Sequence, residues 1–179
     1  MKPAATLTGK DGKKYDVRML EDFDDAEAMT DFVNACHDSS PYLSSDKAYT
    51  VEEERAWVDS EKKNIAEGKT VYAALFDCKR VVGSASVRCK GGRQSHVAVF
   101  GVMLRPGYRD KGLGTALARE AIKRRTPRMQ KIALNVYSGN APARHVYAKL
   151  GFRDVAQLKG WFKADDGTVE DEFIMELLK

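Results

Sequence analysis

Cysteine is scarce in this 179-residue chain, and the little there is does not pair. Cys36, Cys78 and Cys89 are odd in number, form no C-x-x-C motif and have no histidine at ligand spacing, which argues against a disulfide framework and against zinc. No metal is expected, and a reducing compartment fits. Long apolar runs are missing too. The longest, Val97 to Leu104, falls far short of the roughly 20 residues of a membrane span, and Met1 to Leu7 has no apolar core of signal-peptide length. A cytoplasmic protein without a membrane partner is the expectation. Five prolines and 14 glycines, with no repeats or low-complexity tracts, exclude collagen and extensive disorder. Excess charge is small: 30 Lys and Arg against 26 Asp and Glu leave a net +4. That balance admits a nucleic acid, a membrane surface or a polyphosphate ligand without choosing among them. No aromatic interleaving of the kind that stacks bases and no recognition helix accompany it, so nucleic acid is not expected as a partner.

What is present is a globular composition, 43% hydrophobic and 31% charged, at a length that suits one domain over residues 1–179. A chain of this size buries roughly 70% of its extended surface and needs no staple. Ala4 to Thr8 and Lys14 to Met19 flank Asp11-Gly12 and read as a short hairpin. Helical spacing follows from about Asp22 to His37 and from Val51 to Glu67, the second with Thr50 and Glu53 placed as a capping box. Thr70 to Phe76, Arg80 to Cys89 and Gln94 to Leu104 read as an antiparallel meander. Then come a helix from Gly112 to Arg125, a strand from Lys131 to Tyr137, and a helix from Asn140 to Leu150 with Pro142 in its first turn and Gly151 as its stop. Strands over Phe152 to Lys163 and Val169 to Leu177 finish the chain. The order predicts an α/β (α+β) fold: a mixed, mostly antiparallel central sheet of about seven strands, helices on both faces and parallel pairing confined to the middle, plus a short N-terminal hairpin.

The run Val102-Met103-Leu104-Arg105-Pro106-Gly107-Tyr108-Arg109-Asp110-Lys111-Gly112-Leu113-Gly114-Thr115 carries the most chemical information. A buried strand passes through a turn into a helix whose first turn is glycine-rich. Helix N-termini present unpaired N–H groups and the positive end of a dipole, and glycine lets an oxygen approach the backbone closely. Arg109 and Lys111 add cations beside those donors. The same residues also suit a plain tight turn, since Gly-x-Gly before a helix occurs by chance.

Arg109-Asp110-Lys111-Gly112-Leu113-Gly114 resembles the pyrophosphate motif Arg/Gln-x-x-Gly-x-Gly/Ala of the GNAT superfamily of acyl-CoA-dependent N-acetyltransferases. A second block, Asn140 to Phe152, matches that superfamily's Asn-x-x-Ala-x-x-x-Tyr-x-x-x-Gly-Phe. The resemblance covers about residues 15–178. It implies the GNAT fold, an acetyl-CoA co-substrate, an amine acceptor on a small molecule, peptide or protein, and direct transfer in a ternary complex. The backbone from Arg109 through Asp110, Lys111, Gly112, Leu113 and Gly114 to Thr115 would then bind the CoA pyrophosphate. Val102, Met103 and Leu104 would pair with the pantetheine arm, and Asn140 would add a contact to it. Tyr147 would be the acid that protonates the departing thiolate. A weaker implication places Lys123, Arg124, Arg125 and Arg128 near the CoA 3′-phosphate, and a homodimer is compatible with the resemblance.

One position departs from the pattern. Many relatives carry a glutamate ten residues before the motif's first arginine, where this chain has Val99. A primary ammonium must lose a proton before it attacks a thioester, and valine accepts none. Three alternatives stand: a base elsewhere, with Glu53, Glu54, His96 and Glu172 as candidates; an acceptor that arrives neutral; or a non-catalytic acetyl-CoA-binding or regulatory module. The acidic residues Asp165, Asp166, Glu170, Asp171 and Glu172 suit either the attraction of a cationic amine or a solvated turn. The triplet Cys36-His37-Asp38 reads as coincidence, because neighbouring residues on a helix point in different directions.

Overall fold

The computed structural model describes residues 3–40, 42, 47–164 and 166–177. β1 (Ala5–Thr8) and β2 (Lys14–Met19) lead into α1 (Ala26–His37) and α2 (Val51–Ala66), followed by β3 (Thr70–Asp77), β4 (Arg80–Cys89) and β5 (Val97–Leu104). α3 (Leu113–Lys123), β6 (Lys131–Tyr137), α4 (Ala141–Leu150), β7 (Phe152–Lys163) and β8 (Val169–Leu177) complete it. Local chemistry sets several boundaries. Asp25 accepts a hydrogen bond from the Ala28 amide at 2.9 Å and caps α1, so the helix starts at Ala26 and not near Asp22, where Leu20–Asp22 form a 3-10 turn. Another 3-10 turn over Gly92–Gln94 delays β5 to Val97. Thr50 and Glu53 form the expected capping box at α2.

The strands make one sheet in the order β1-β2-β3-β4-β5-β6-β8-β7. Its eight strands correct the expectation of about seven with a separate hairpin. β2 presents Tyr15, Val17 and Met19 to the same core as β3, and pairing Val17 with Leu75 and Arg18 with Ala74 covers that apolar face. All neighbours are antiparallel except β5 and β6.

Two apolar layers flank the sheet. On one face Leu113, Leu117 and Ala121 of α3 and Tyr147 of α4 pack on Val87, Phe100 and Leu134. On the other, Met29 and Phe32 of α1 and Val58 of α2 pack on Tyr72 and Phe76. Among the described residues no helix is long and apolar enough to cross a membrane.

The sheet divides in its middle. β5 and β6 pair only over Val97, Ala98 and Val99 with Lys131, Ile132 and Ala133. Beyond that point β5 stays paired with β4 as far as Leu104, and β6 stays paired with β8 as far as Tyr137. The edge of β5 from Phe100 to Leu104 therefore opens into a cleft, with backbone donors and acceptors that lack a strand partner on that side.

Candidate active site

At the end of this open edge the chain turns into α3, and the turn is held on several sides. The Arg105 amide donates to the Val82 carbonyl at 2.9 Å. Its buried guanidinium pairs with Asp31 of α1 at 2.8 Å and donates to the Val81 carbonyl at 3.3 Å. The Tyr108 hydroxyl donates to Asp77 at 3.0 Å. From the β1–β2 loop, Asp11 pairs with Lys111 at 3.1 Å, and the Lys10 amide donates to the Lys111 carbonyl at 3.0 Å. Gly107, Asp110 and Gly112 all take left-handed conformations, with φ of 83°, 63° and 76°. Aspartate is one of the few non-glycine residues that tolerate this region.

The start of α3 differs from the other three helix starts among the described residues. Asp25, Thr50 and Asn140 each cap their helix with a side-chain oxygen, whereas Gly112 has no side chain to offer and none replaces it. The first bond back into the helix runs from the Ala116 amide to the Gly112 carbonyl at 3.2 Å. The amides of Leu113, Gly114 and Thr115 are thus left as donors at the positive end of the helix dipole. The cations beside them are partly occupied. Arg109 donates to the Leu104 carbonyl at 3.3 Å and to Ser39 at 3.2 Å, and Lys111 is held by Asp11.

Tyr147 lies across the cleft on α4. Its ring meets Phe100 of β5 edge-on at 6.0 Å and Phe152 at 6.0 Å, so it stands where β5 leaves β6. Burial pushes its phenol up to about 12, and its hydroxyl bonds to no described residue. Asn140, at the start of the same helix, accepts from the Ala143 amide at 3.3 Å.

The opposite face of β5 borders a cavity of about 430 Å³ between α1, α2 and β3 to β5. Gly101, Val102 and Met103 form one side, and Met29, Phe32, Trp57, Tyr72, Glu54 and Arg88 contribute to the rest. Glu54 is only 6% exposed, and desolvation raises its carboxyl pKa against a smaller lowering effect of Arg88. Val102 and Met103 belong to the motif strand and Glu54 was a candidate base, but Met29, Phe32, Trp57, Tyr72 and Arg88 had no motif to mark them. The available signal was the polar stripe Glu54, Glu61 on a helix whose buried side also holds Val58.

The other candidates separate clearly. Val99 is 40% exposed and lies opposite Arg88 of β4 in the sheet. Glu53 is taken up by Lys47 at 2.7 Å and by the Thr50 amide at 3.0 Å, and the Lys47 bond holds its carboxyl below the ordinary value. His96 precedes β5 at the end away from the cavity. Glu172 is buried on β8 opposite Tyr137 and does not line the cavity. Glu170 accepts from the Gly139 amide at 2.7 Å, and Asp171 accepts from the Gly160 amide at 2.9 Å, so both brace the closing hairpin. Asp165 lies outside the described residues. Arg124, at the far end of α3, is engaged by Glu120 and donates to the Ala4 carbonyl at 3.1 Å. Cys36 is fully buried, its thiol pushed up to about 11 by that burial, which keeps it protonated.

The model of the Acetyltransferase (GNAT) family matches residues 27–152. The chain belongs to this family. Two curated relatives match parts of it. The L-amino acid N-acetyltransferase AaaT of Escherichia coli (strain K12) is 42% identical over 62 residues, 34% of this chain and 38% of that protein. An N-alpha-acetyltransferase of Sulfurisphaera tokodaii is 33% identical over 85 residues, 46% of this chain and 47% of that protein. The matched stretches therefore span less than half the length of either relative. Among solved structures, a Salmonella typhimurium protein with its cofactor acetyl-CoA superposes with a TM-score of 0.78 at 19% identity, over 92% of this chain and 94% of that one.

Proposed function

We propose that this chain is an N-acetyltransferase that moves the acetyl group of acetyl-CoA directly to an amine of a small molecule, peptide or protein within a ternary complex. The observation that carries the reading is the juxtaposition of an uncapped, glycine-rich helix start with the open edge of β5. A pyrophosphate suits the first and an amide-bearing arm suits the second. The backbone from Arg109 to Thr115 receives the pyrophosphate. Val102, Met103 and Leu104 pair with pantetheine as an added strand, with Asn140 at its side. A backbone N–H near Val102 or Met103 meets the oxyanion that forms when the amine attacks the thioester. Tyr147, protonated throughout the neutral range, gives its proton to the leaving thiolate. The names of the two curated relatives and the acetyl-CoA of the Salmonella protein support this assignment. The unpaired cysteines suit the cytoplasm as its place of action.

Val99 favours a second reading, a module that binds acetyl-CoA without turning it over. Titration calorimetry with acetyl-CoA, followed by an assay of free CoA against a panel of primary amines, separates the two. Micromolar binding with CoA release supports the transferase. Binding without release supports the module, and the absence of binding removes both.

A further inference from the structure

Two buried glutamates on α2 have opposite surroundings. Glu61 accepts from Arg88 Nε at 2.8 Å and from Asn64 Nδ2 at 3.1 Å, the arrangement that makes a buried carboxylate tolerable. Glu54, on the same buried side of the helix, is as deeply placed, 6% against 7% exposed, yet accepts no hydrogen bond from any described residue. A carboxylate removed from water without a partner weakens a fold, and such groups cluster where a ligand supplies what is missing.

The surroundings of Glu54 describe that ligand. Met29 and Phe32 of α1, Trp57 of α2 and Tyr72 of β3 give the cavity apolar and aromatic walls. Its volume of about 430 Å³ suits a small molecule or the end of a chain. Gly101 to Met103 border it on the side where the thioester would lie. The charged and titratable groups facing Glu54 are Arg88 on β4, Tyr72 on β3, Glu53 on α2 and Tyr49 ahead of it, while α1 contributes Met29, Phe32 and Val33 alone. Glu53 is already bonded to Lys47 and to the Thr50 amide, and the Tyr72 phenol is hydrogen-bonded to Ser84. Glu54 is the carboxylate in this cavity that an ammonium can reach without displacing a partner among the described residues.

We infer that Glu54 receives the acceptor, a primary amine carried on an apolar or aromatic body, and takes the proton the ammonium must lose before attack; the inference rests on the acetyl transfer proposed above. The ammonium gives one proton to Glu54, and the free amine nitrogen bonds to the acetyl carbonyl carbon. As the carbon–sulfur bond breaks, Tyr147 passes its proton to the thiolate, and the second proton lost by nitrogen restores the Tyr147 phenol. Acetamide and CoA thiol result, and Glu54 returns its proton to solvent. A glutamate at position 99 would have approached from the sheet, and here the carboxylate comes from the helix side.

The test compares wild-type enzyme with Glu54→Gln, Glu54→Asp and Glu172→Gln, using phenethylamine and L-phenylalaninamide against spermidine and glycinamide. The apolar amines are expected to show kcat/KM at least about tenfold above the hydrophilic ones. Glu54→Gln is expected to lower kcat/KM by about 100-fold or more, with acetyl-CoA affinity within about twofold of wild type and an equal or higher Tm, because the amide removes an unpaired buried charge. Glu54→Asp is expected to retain intermediate activity, and Glu172→Gln to stay within a fewfold of wild type. Preference for spermidine, undiminished turnover in Glu54→Gln, or a loss that falls on Glu172→Gln instead would overturn the inference while acetyl transfer stood. Wild-type enzyme that binds acetyl-CoA yet releases CoA with no amine would remove acetyl transfer and, with it, the role of Glu54.

Discussion

The two faces of β5 present different kinds of group to a ligand. On the side of α3 and α4, the groups of the proposed cofactor site are backbone amides of one continuous turn, Arg109 to Thr115, and a strand edge directly before it. On the side of α1 and α2, the cavity is assembled from side chains on two helices and three strands. A polyphosphate can be held by a local conformation, because helix starts bind anions whatever surrounds them. An amine of particular shape needs walls, and walls come from distant parts of the chain. The helix caps show the same difference: side chains close α1, α2 and α4, while α3 is left open.

The sharpest way to break the comparison is at Gly112. Its φ of 76° disfavours any side chain, and a Cβ there lies 3.8 Å from Lys10. Gly112→Trp is expected to weaken acetyl-CoA binding by about 100-fold or more, since an indole over the α3 amides would block the anion site proposed there. Calorimetry measures it, and unchanged affinity would disconnect the turn from the cofactor. Next in size is Tyr147→Phe, for which kcat should fall by about 10- to 100-fold with cofactor affinity nearly constant. Equal turnover would deny Tyr147 the role of acid.

Val99→Glu sharpens the contrast between the two sources of a carboxylate. Alone it should change kcat/KM by less than about threefold, and in the Glu54→Gln background it should restore about tenfold, because position 99 lies opposite Arg88 and can host a substitute base. No restoration would mean that this face of β5 is out of the acceptor's reach. The smallest effect is expected at Asn140→Ala. Loss of the α4 cap should cost about 1 kcal/mol, seen as a fall in Tm of about 2–4 °C, with turnover reduced only as far as Tyr147 loses its orientation.

The pH dependence of stability around Glu54 follows from its environment. Its carboxyl pKa is raised in the fold, so the native state holds the proton more tightly than the unfolded chain. That contribution is fully present below the ordinary glutamate pKa and is lost as pH rises through the folded value. Denaturant titrations of wild type and Glu54→Gln should therefore diverge as the pH passes upward from the acid range, with the variant the more stable at neutral pH.

The helix and strand periodicities were readable because each element has one buried side. The capping box at Thr50, the Asn140 cap and the Gly151 stop are local geometry and were readable for the same reason. The hairpin's place in the main sheet was not, since strand pairing between β2 and β3 spans the whole of α1 and α2. Nor did the spacing of residues distinguish Glu53 from Glu54. They are adjacent in sequence and both line the cavity, but Glu53 is bonded to Lys47 and to the Thr50 amide, while Glu54 is buried and accepts no hydrogen bond from a described residue.

By itself, then, the sequence determined the family, the order of elements, the phosphate-type turn and the missing carboxylate at Val99, because each is a property of residues close together along the chain. Only the tertiary structure decided that β5 and β6 part after Val99, that Tyr147 stands beside Phe100 at that point, and that Glu54 is buried without a hydrogen-bond partner among the described residues. Those facts depend on which elements meet across the sheet, and burial, which gives a carboxylate its chemistry, is a property of the meeting and not of the residue.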